Sequence, residues 1–242
     1  MKRVWMAVVA CCGFALAGAP ARAGEESPRS FAMELRLGLY QPSIDGEFDG
    51  GATPFRDIFR DDSAWMFGGE LDYQFFQGFG SLGVFGMMHY GRLSGKALEA
   101  DGERSADRTR MILLPMTAGL VYRFDVFSRR WGIPLVPAFK FGATHTLWWV
   151  RDGVDDKASY TDEDGKRFDG AGGTWGLYGS AGLFLMLNIF EPHTAKTFDN
   201  ELGVNGSYLF IEYVYQWVND FGSDKSFDLS DGGVYFGLAF EM

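Results

Sequence analysis

Arg36, Glu70, Lys140 and Glu212 are the residues best placed to do chemistry in this chain. Each occupies the polar phase of a segment whose alternate positions are apolar, so each side chain leaves the backbone away from the apolar face. Each also lies at a similar distance from one end of its segment, roughly five to seven residues at ~3.3 Å apiece. At one depth, two carboxylates and two cations can pair. Buried together they make a charge plug that holds register; with room for water they make a gate or a narrow ion path. The histidines His89, His145 and His193 are the candidate general bases. Such a base needs a nucleophile and an orienting acid within hydrogen-bond reach, and no His-x-Ser element or clear serine nucleophile accompanies them. Asp162-Glu163-Asp164-Gly165 resembles half of a calcium loop, because a hard cation takes several carboxylate oxygens on a tight turn. Lys166 and Arg167 interrupt the pattern and no terminal Glu follows at the required spacing, which favours a solvated acidic loop.

The segments that carry these residues repeat one pattern. The closing stretch sets Val234, Phe236, Leu238, Phe240 and Met242 against Tyr235, Gly237, Ala239 and Glu241. Seven earlier segments, at about 31–40, 64–75, 80–92, 109–124, 133–150, 175–188 and 206–218, alternate in the same way. A period of two marks strands. Residues 41–63, 93–108, 151–173 and 219–230 form long charged connections, whereas 76–79 and 125–132 are short links and 189–205 is a longer, less charged one. Glu191-Pro192 reads as a helix start within the last of these. Pro115, Pro134 and Pro137 fall in or beside strands, where proline removes a ladder donor, and they predict a bulge or a late strand start.

Met1-Lys2-Arg3, an apolar stretch and Ala21-Arg22-Ala23 compose a secretory signal peptide over residues 1–23. A lipoprotein signal ending at Cys11 is the competing reading. Both cysteines, Cys11 and Cys12, lie in this segment, so residues 24–242 form no disulfide. Removing Lys2, Arg3 and Arg22 makes a chain of formal charge −10 more acidic still. That disfavours nucleic acid as a partner, since phosphate backbones need clustered cations. The chain has 33 glycines and 17% aromatic residues. That pairing suits a barrel with small residues in its lumen and aromatic belts at both interfaces. Phase decides the environment. A soluble barrel of the lipocalin kind keeps its apolar face inside; here the opposite face holds Gly, Ala, Ser and nearly all the strand charges. The fold class is therefore all-β, an eight-stranded antiparallel up-and-down transmembrane β-barrel. With both termini in the periplasm, the four long loops lie outside. Tyr40, Trp65, Tyr90, Trp148, Trp149, Trp175 and Trp217 are assigned to the outer aromatic girdle, and Tyr73, Tyr122 and Trp131 to the inner one.

The signal peptide, the eight strands and the closing Gly237-Leu238-Ala239-Phe240-Glu241-Met242 resemble small outer-membrane barrels of the OmpA/OmpX type from Gram-negative bacteria. The closing stretch departs from that pattern by ending on Met242, which leaves the aromatic role to Phe240. The resemblance implies insertion by the barrel assembly machinery and contact with outer-membrane lipid and lipopolysaccharide. It does not select a function. The expectation is a non-enzymatic protein without cofactor or metal, in a structural or surface-interaction role whose ligand the loops do not name. A narrow pore and a lipid-modifying enzyme are the alternatives. A charge at Phe240 is expected to disturb assembly more than one at Ala239.

Overall fold

The computed structural model describes residues 30–47, 53–60, 63–96, 103–152, 157–161, 167–190, 197, 201–223 and 226–242. The signal peptide, His193, the Glu191-Pro192 helix start and residues 162–166 of the acidic run lie outside the described residues. The barrel strands are β1 (Phe31–Tyr40), β2 (Ala64–Gly78), β3 (Gly80–Gly95), β4 (Thr109–Arg123), β5 (Leu135–Arg151), β8 (Ala171–Met186), β9 (Gly206–Trp217) and β10 (Asp231–Glu241). β6 (Ser159–Thr161) and β7 (Arg167–Asp169) form a separate hairpin within the loop between β5 and β8. Each barrel strand pairs antiparallel with the barrel strands before and after it, and β10 returns to β1 to close the ring. The seam runs from Ala32↔Glu241 to Gly38↔Tyr235. It extends to Met242, whose N–H donates to the Phe31 carbonyl at 2.8 Å.

Alternation sets what faces where. In β9 the inward Tyr208, Phe210, Glu212, Val214 and Gln216 are buried, while Leu209, Ile211, Tyr213, Tyr215 and Trp217 are exposed. All eight strands expose such a face, and together these faces make an apolar band around the wall. A soluble monomer rarely exposes so large a contiguous patch, whereas lipid requires one. A closed ladder also leaves no unpaired strand edge in the bilayer. The molecule is a transmembrane β-barrel.

The prolines act differently from one another. Pro134 lies just before β5, which starts late, at Leu135. Pro137 sits inside β5 and pairs with Leu183. Pro115 makes no bulge: the pairs to β3 run from Met88↔Met116 to Gly91↔Leu113 at one offset, with the two pairs between them missing. The register shift between β2 and β3 is instead at Gln74/Phe76. The connections also hold more structure than their polarity suggests. Residues 125–132 contain a short helix, Val126–Trp131, closed by Gly132 at φ 65°. The first long loop holds a 3-10 turn, Ile44–Glu47, and helix α1, Pro54–Phe59. The Asp45 carboxylate accepts hydrogen bonds from the N–H groups of Phe55 and Arg56 at 2.7 and 3.0 Å, which satisfies donors that α1 leaves open.

These loop elements cover the long-loop end of the barrel, here the outer end. Ile44, Phe55 and Phe59 pack with Tyr40, Leu93 and Leu229 in one buried apolar cluster, and Trp148 and Phe227 lie against it. A smaller cluster that includes Val136, Phe184, Tyr208 and Ala239 fills the inner end. There Glu241 accepts hydrogen bonds from Gln74 and Tyr208, both at 3.0 Å.

Candidate functional site

Between the two apolar clusters the lumen is charged. Arg36 enters from β1, where its register partners are Gly68 on one side and Gly237 on the other. Neither neighbour has a side chain, so the guanidinium has room to cross the lumen. Its Nη1 donates to Glu34 at 2.5 Å and to Glu70 at 3.0 Å. Its Nη2 donates to Glu212 and, at 3.3 Å, to the Tyr178 hydroxyl. Lys140 Nζ lies 2.8 Å from Glu34, 2.5 Å from Glu70 and 3.7 Å from Glu212. Arg123 Nη2 donates to Glu34 at 2.7 Å and also to Asp72. Ser180 donates to the remaining oxygen of Glu212 at 2.7 Å.

The register explains why these partners are needed. Glu34 stands directly opposite Glu70 in the β1–β2 ladder, and like charges in that position repel. Arg36 and Lys140 each bridge both acids, which turns the repulsive pair into the centre of a network. Aromatic faces complete the enclosure, with the Arg36 guanidinium 5.3 Å from the Phe210 ring centre and Lys140 Nζ 5.9 Å from that of Phe85. Glu34, Arg36, Glu70, Asp72, Lys140 and Glu212 are each 3% exposed or less. The oxygens of Glu34, Glu70 and Asp72 approach within 4.8 Å of one another, as cation ligands would. Arg36, Lys140 and Arg123 already supply the positive charge there.

The four charges singled out in the sequence do meet. Glu34, Asp72 and Arg123 belong with them and were missed. Their inward phase is visible in the sequence, but depth along a strand does not give their neighbours, because the stagger of a closed barrel offsets depths between strands. Among the described residues, His89 and His145 do not assemble a catalytic group. His89 lies over Gly68, edge-on to the Tyr235 ring at 5.3 Å. His145 faces outward and tilts over Trp175 at 4.3 Å.

Two residues assigned to the outer girdle face the other way. Tyr40 is buried in the lumen, where its hydroxyl donates to the Leu229 carbonyl. Trp148 packs inward against Phe227 at 4.6 Å. Trp148 and Trp149 are consecutive, so they cannot share a face, and Trp149 takes the outward one. Trp65, Tyr90, Trp175, Trp217 and Tyr73 are exposed on the outer wall. Tyr122 is half-buried and its hydroxyl donates to the Phe79 carbonyl, while Trp131 is exposed and stacks on Phe127. Val234, Phe236 and Leu238 are exposed on the outward face of β10, with Phe240 half-buried in the same phase and Met242 just past the strand end.

No family model and no curated protein matches this chain. Solved structures do. The outer membrane protein OprG from Pseudomonas aeruginosa is 14% identical over 88% of this chain and 95% of its own, with a TM-score of 0.51. Ail, the attachment invasion locus protein of Yersinia pestis, solved with the heparin analogue sucrose octasulfate, is 15% identical over 88% and 96%, with a TM-score of 0.41. Neisserial surface protein A is 14% identical over 89% and 98%, also at 0.41. The closed ring of eight antiparallel strands and the likeness to OprG lead to one conclusion: this chain has the fold of the eight-stranded outer-membrane β-barrels.

Proposed function

We propose that this protein is a non-conducting, non-enzymatic barrel of the outer membrane that acts through its loops and its lipid-facing wall. Residues 24–242 insert through the barrel assembly machinery after cleavage behind Ala23. Both ends then lie in the periplasm and the four long loops on the surface, in a structural or adhesive role. The observation that carries this reading is the mid-barrel network. A gate needs an ion pair that can swing open. Here Arg36, Lys140, Glu34, Glu70 and Glu212 each hold more than one partner, so moving one strands several buried charges. The apolar cluster above supplies a second closure.

Planar-bilayer recording on refolded protein tests the reading. No unit conductance is expected, and a steady conductance that Glu212→Gln alters would establish a pore instead. Incubation with lipopolysaccharide and phospholipid is expected to leave both masses unchanged; a mass change would establish a lipid-modifying enzyme.

A further inference from the structure

The eight barrel strands carry three Lys, Arg, Asp or Glu side chains on their outward face: Arg92, Arg110 and Arg151. All are arginines, and all lie at the same end of three adjacent strands, in a chain of formal charge −10. Arg110 and Arg151 are direct partners across β4 and β5. Arg92 stands opposite Ile112, which stands opposite Trp149. The outward face of this rim therefore has two successive rungs, Arg92–Ile112–Trp149 and Ser94–Arg110–Arg151. Ile112 points outward yet is only 9% exposed, as expected of a residue flanked by Trp149 and three long arginine stems.

Like charges set opposite each other weaken a ladder, and an arginine facing lipid costs more the deeper it lies. Arg110 and Arg151 each already hold an interaction within the protein, but a guanidinium carries five N–H donors, so an anion at headgroup level still offsets both terms. Arginine suits that task because its planar fork bonds phosphate oxygens in pairs. Tyr90 and Trp149 mark the level, since aromatic rings collect at the membrane interface, and the arginines sit at or just beyond it. We infer that Arg92, Arg110 and Arg151 form a binding site for the phosphorylated headgroup of lipopolysaccharide. Its acyl chains lie against the apolar wall below. The inference rests on the proposed function only for which leaflet supplies the lipid.

The probe is bisphosphorylated lipid A added to the full-length protein in detergent micelles, with bound lipid counted by native mass spectrometry. The wild-type protein is expected to retain lipid A and to bind its dephosphorylated form about tenfold or more weakly, the scale of losing charge-assisted hydrogen bonds. Arg92→Gln, Arg110→Gln and Arg151→Gln combined is expected to abolish the difference while keeping the heat-dependent gel shift of a folded barrel. Equal binding of the two lipid forms by wild type overturns the site without reference to any variant. Undiminished binding by a folded triple variant does so too. Displacement by an equal concentration of inorganic phosphate would make it a free-anion site and overturn the lipid assignment. Micelle binding does not depend on orientation. Labelling of Ala106→Cys in intact cells by an impermeant maleimide reports orientation alone, so failure there counts against the proposed topology and not against the phosphate site.

Discussion

At the scale of single residues, Arg36 is the keystone of the lumen. Arg36→Ala leaves Glu34, Glu70 and Glu212 sharing Lys140 and Arg123 in a site that water scarcely reaches. Breaking a buried charge network by removing one member costs about 3–5 kcal/mol, so urea unfolding in vesicles is expected to move to clearly lower denaturant. Arg36→Lys keeps the charge but not the fork, and should fall between the two. The hairpin loop offers a surface contrast. Lys157 donates to Asp169 at 3.1 Å and holds that carboxyl below the usual range, with Arg167 adding to the effect. A depressed carboxyl stabilises the hairpin above the ordinary Asp value and loses that contribution as pH falls through the lowered one. Carbon-13 titration should show the Asp169 midpoint rising in Lys157→Gln, with little change in global stability because the pair is exposed.

At the scale of elements, the lipid-facing phase of β10 makes a graded prediction. Phe236 pairs with Leu37 and Ile211 near mid-strand, whereas Phe240 pairs with Met33 and Ser207 toward the inner end. An arginine at Phe236 is expected to cost about 2–4 kcal/mol and one at Phe240 about 0–1 kcal/mol, read as shifts in folding free energy in vesicles. Ala239 is no permissive control: it is 2% exposed, in the inner apolar cluster with Val136 and Phe184. Alternation shows that it points inward but not how tightly that end is packed. The same limit runs through the chain. Period-two patterning made the strands and their inward charges legible, because one residue of slip would put Glu212 or Lys140 into lipid. Six-residue helices such as Pro54–Phe59 span too few turns to display a helical period. Tyr40 shares the inward phase of Glu34 and Arg36 in β1, so its aromatic character alone does not place it in the girdle.

At the scale of the whole molecule, the ring is closed, so every barrel strand has a partner on both sides. Unheated protein in dodecyl sulfate should therefore migrate apart from the heated form, and protease should cut only in the loops. A single band position with and without heating would contradict the closed barrel. The seam adds a constraint on timing. β1 pairs with β2 nearby in sequence, but its other edge is satisfied only by β10, almost the whole chain later. Contacts that distant form slowly, because a long loop must be closed before they stabilise anything. The first strand synthesised is thus among the last to be completed. Its bare edge is a template for other chains throughout that interval, and it must be shielded from them until β10 arrives.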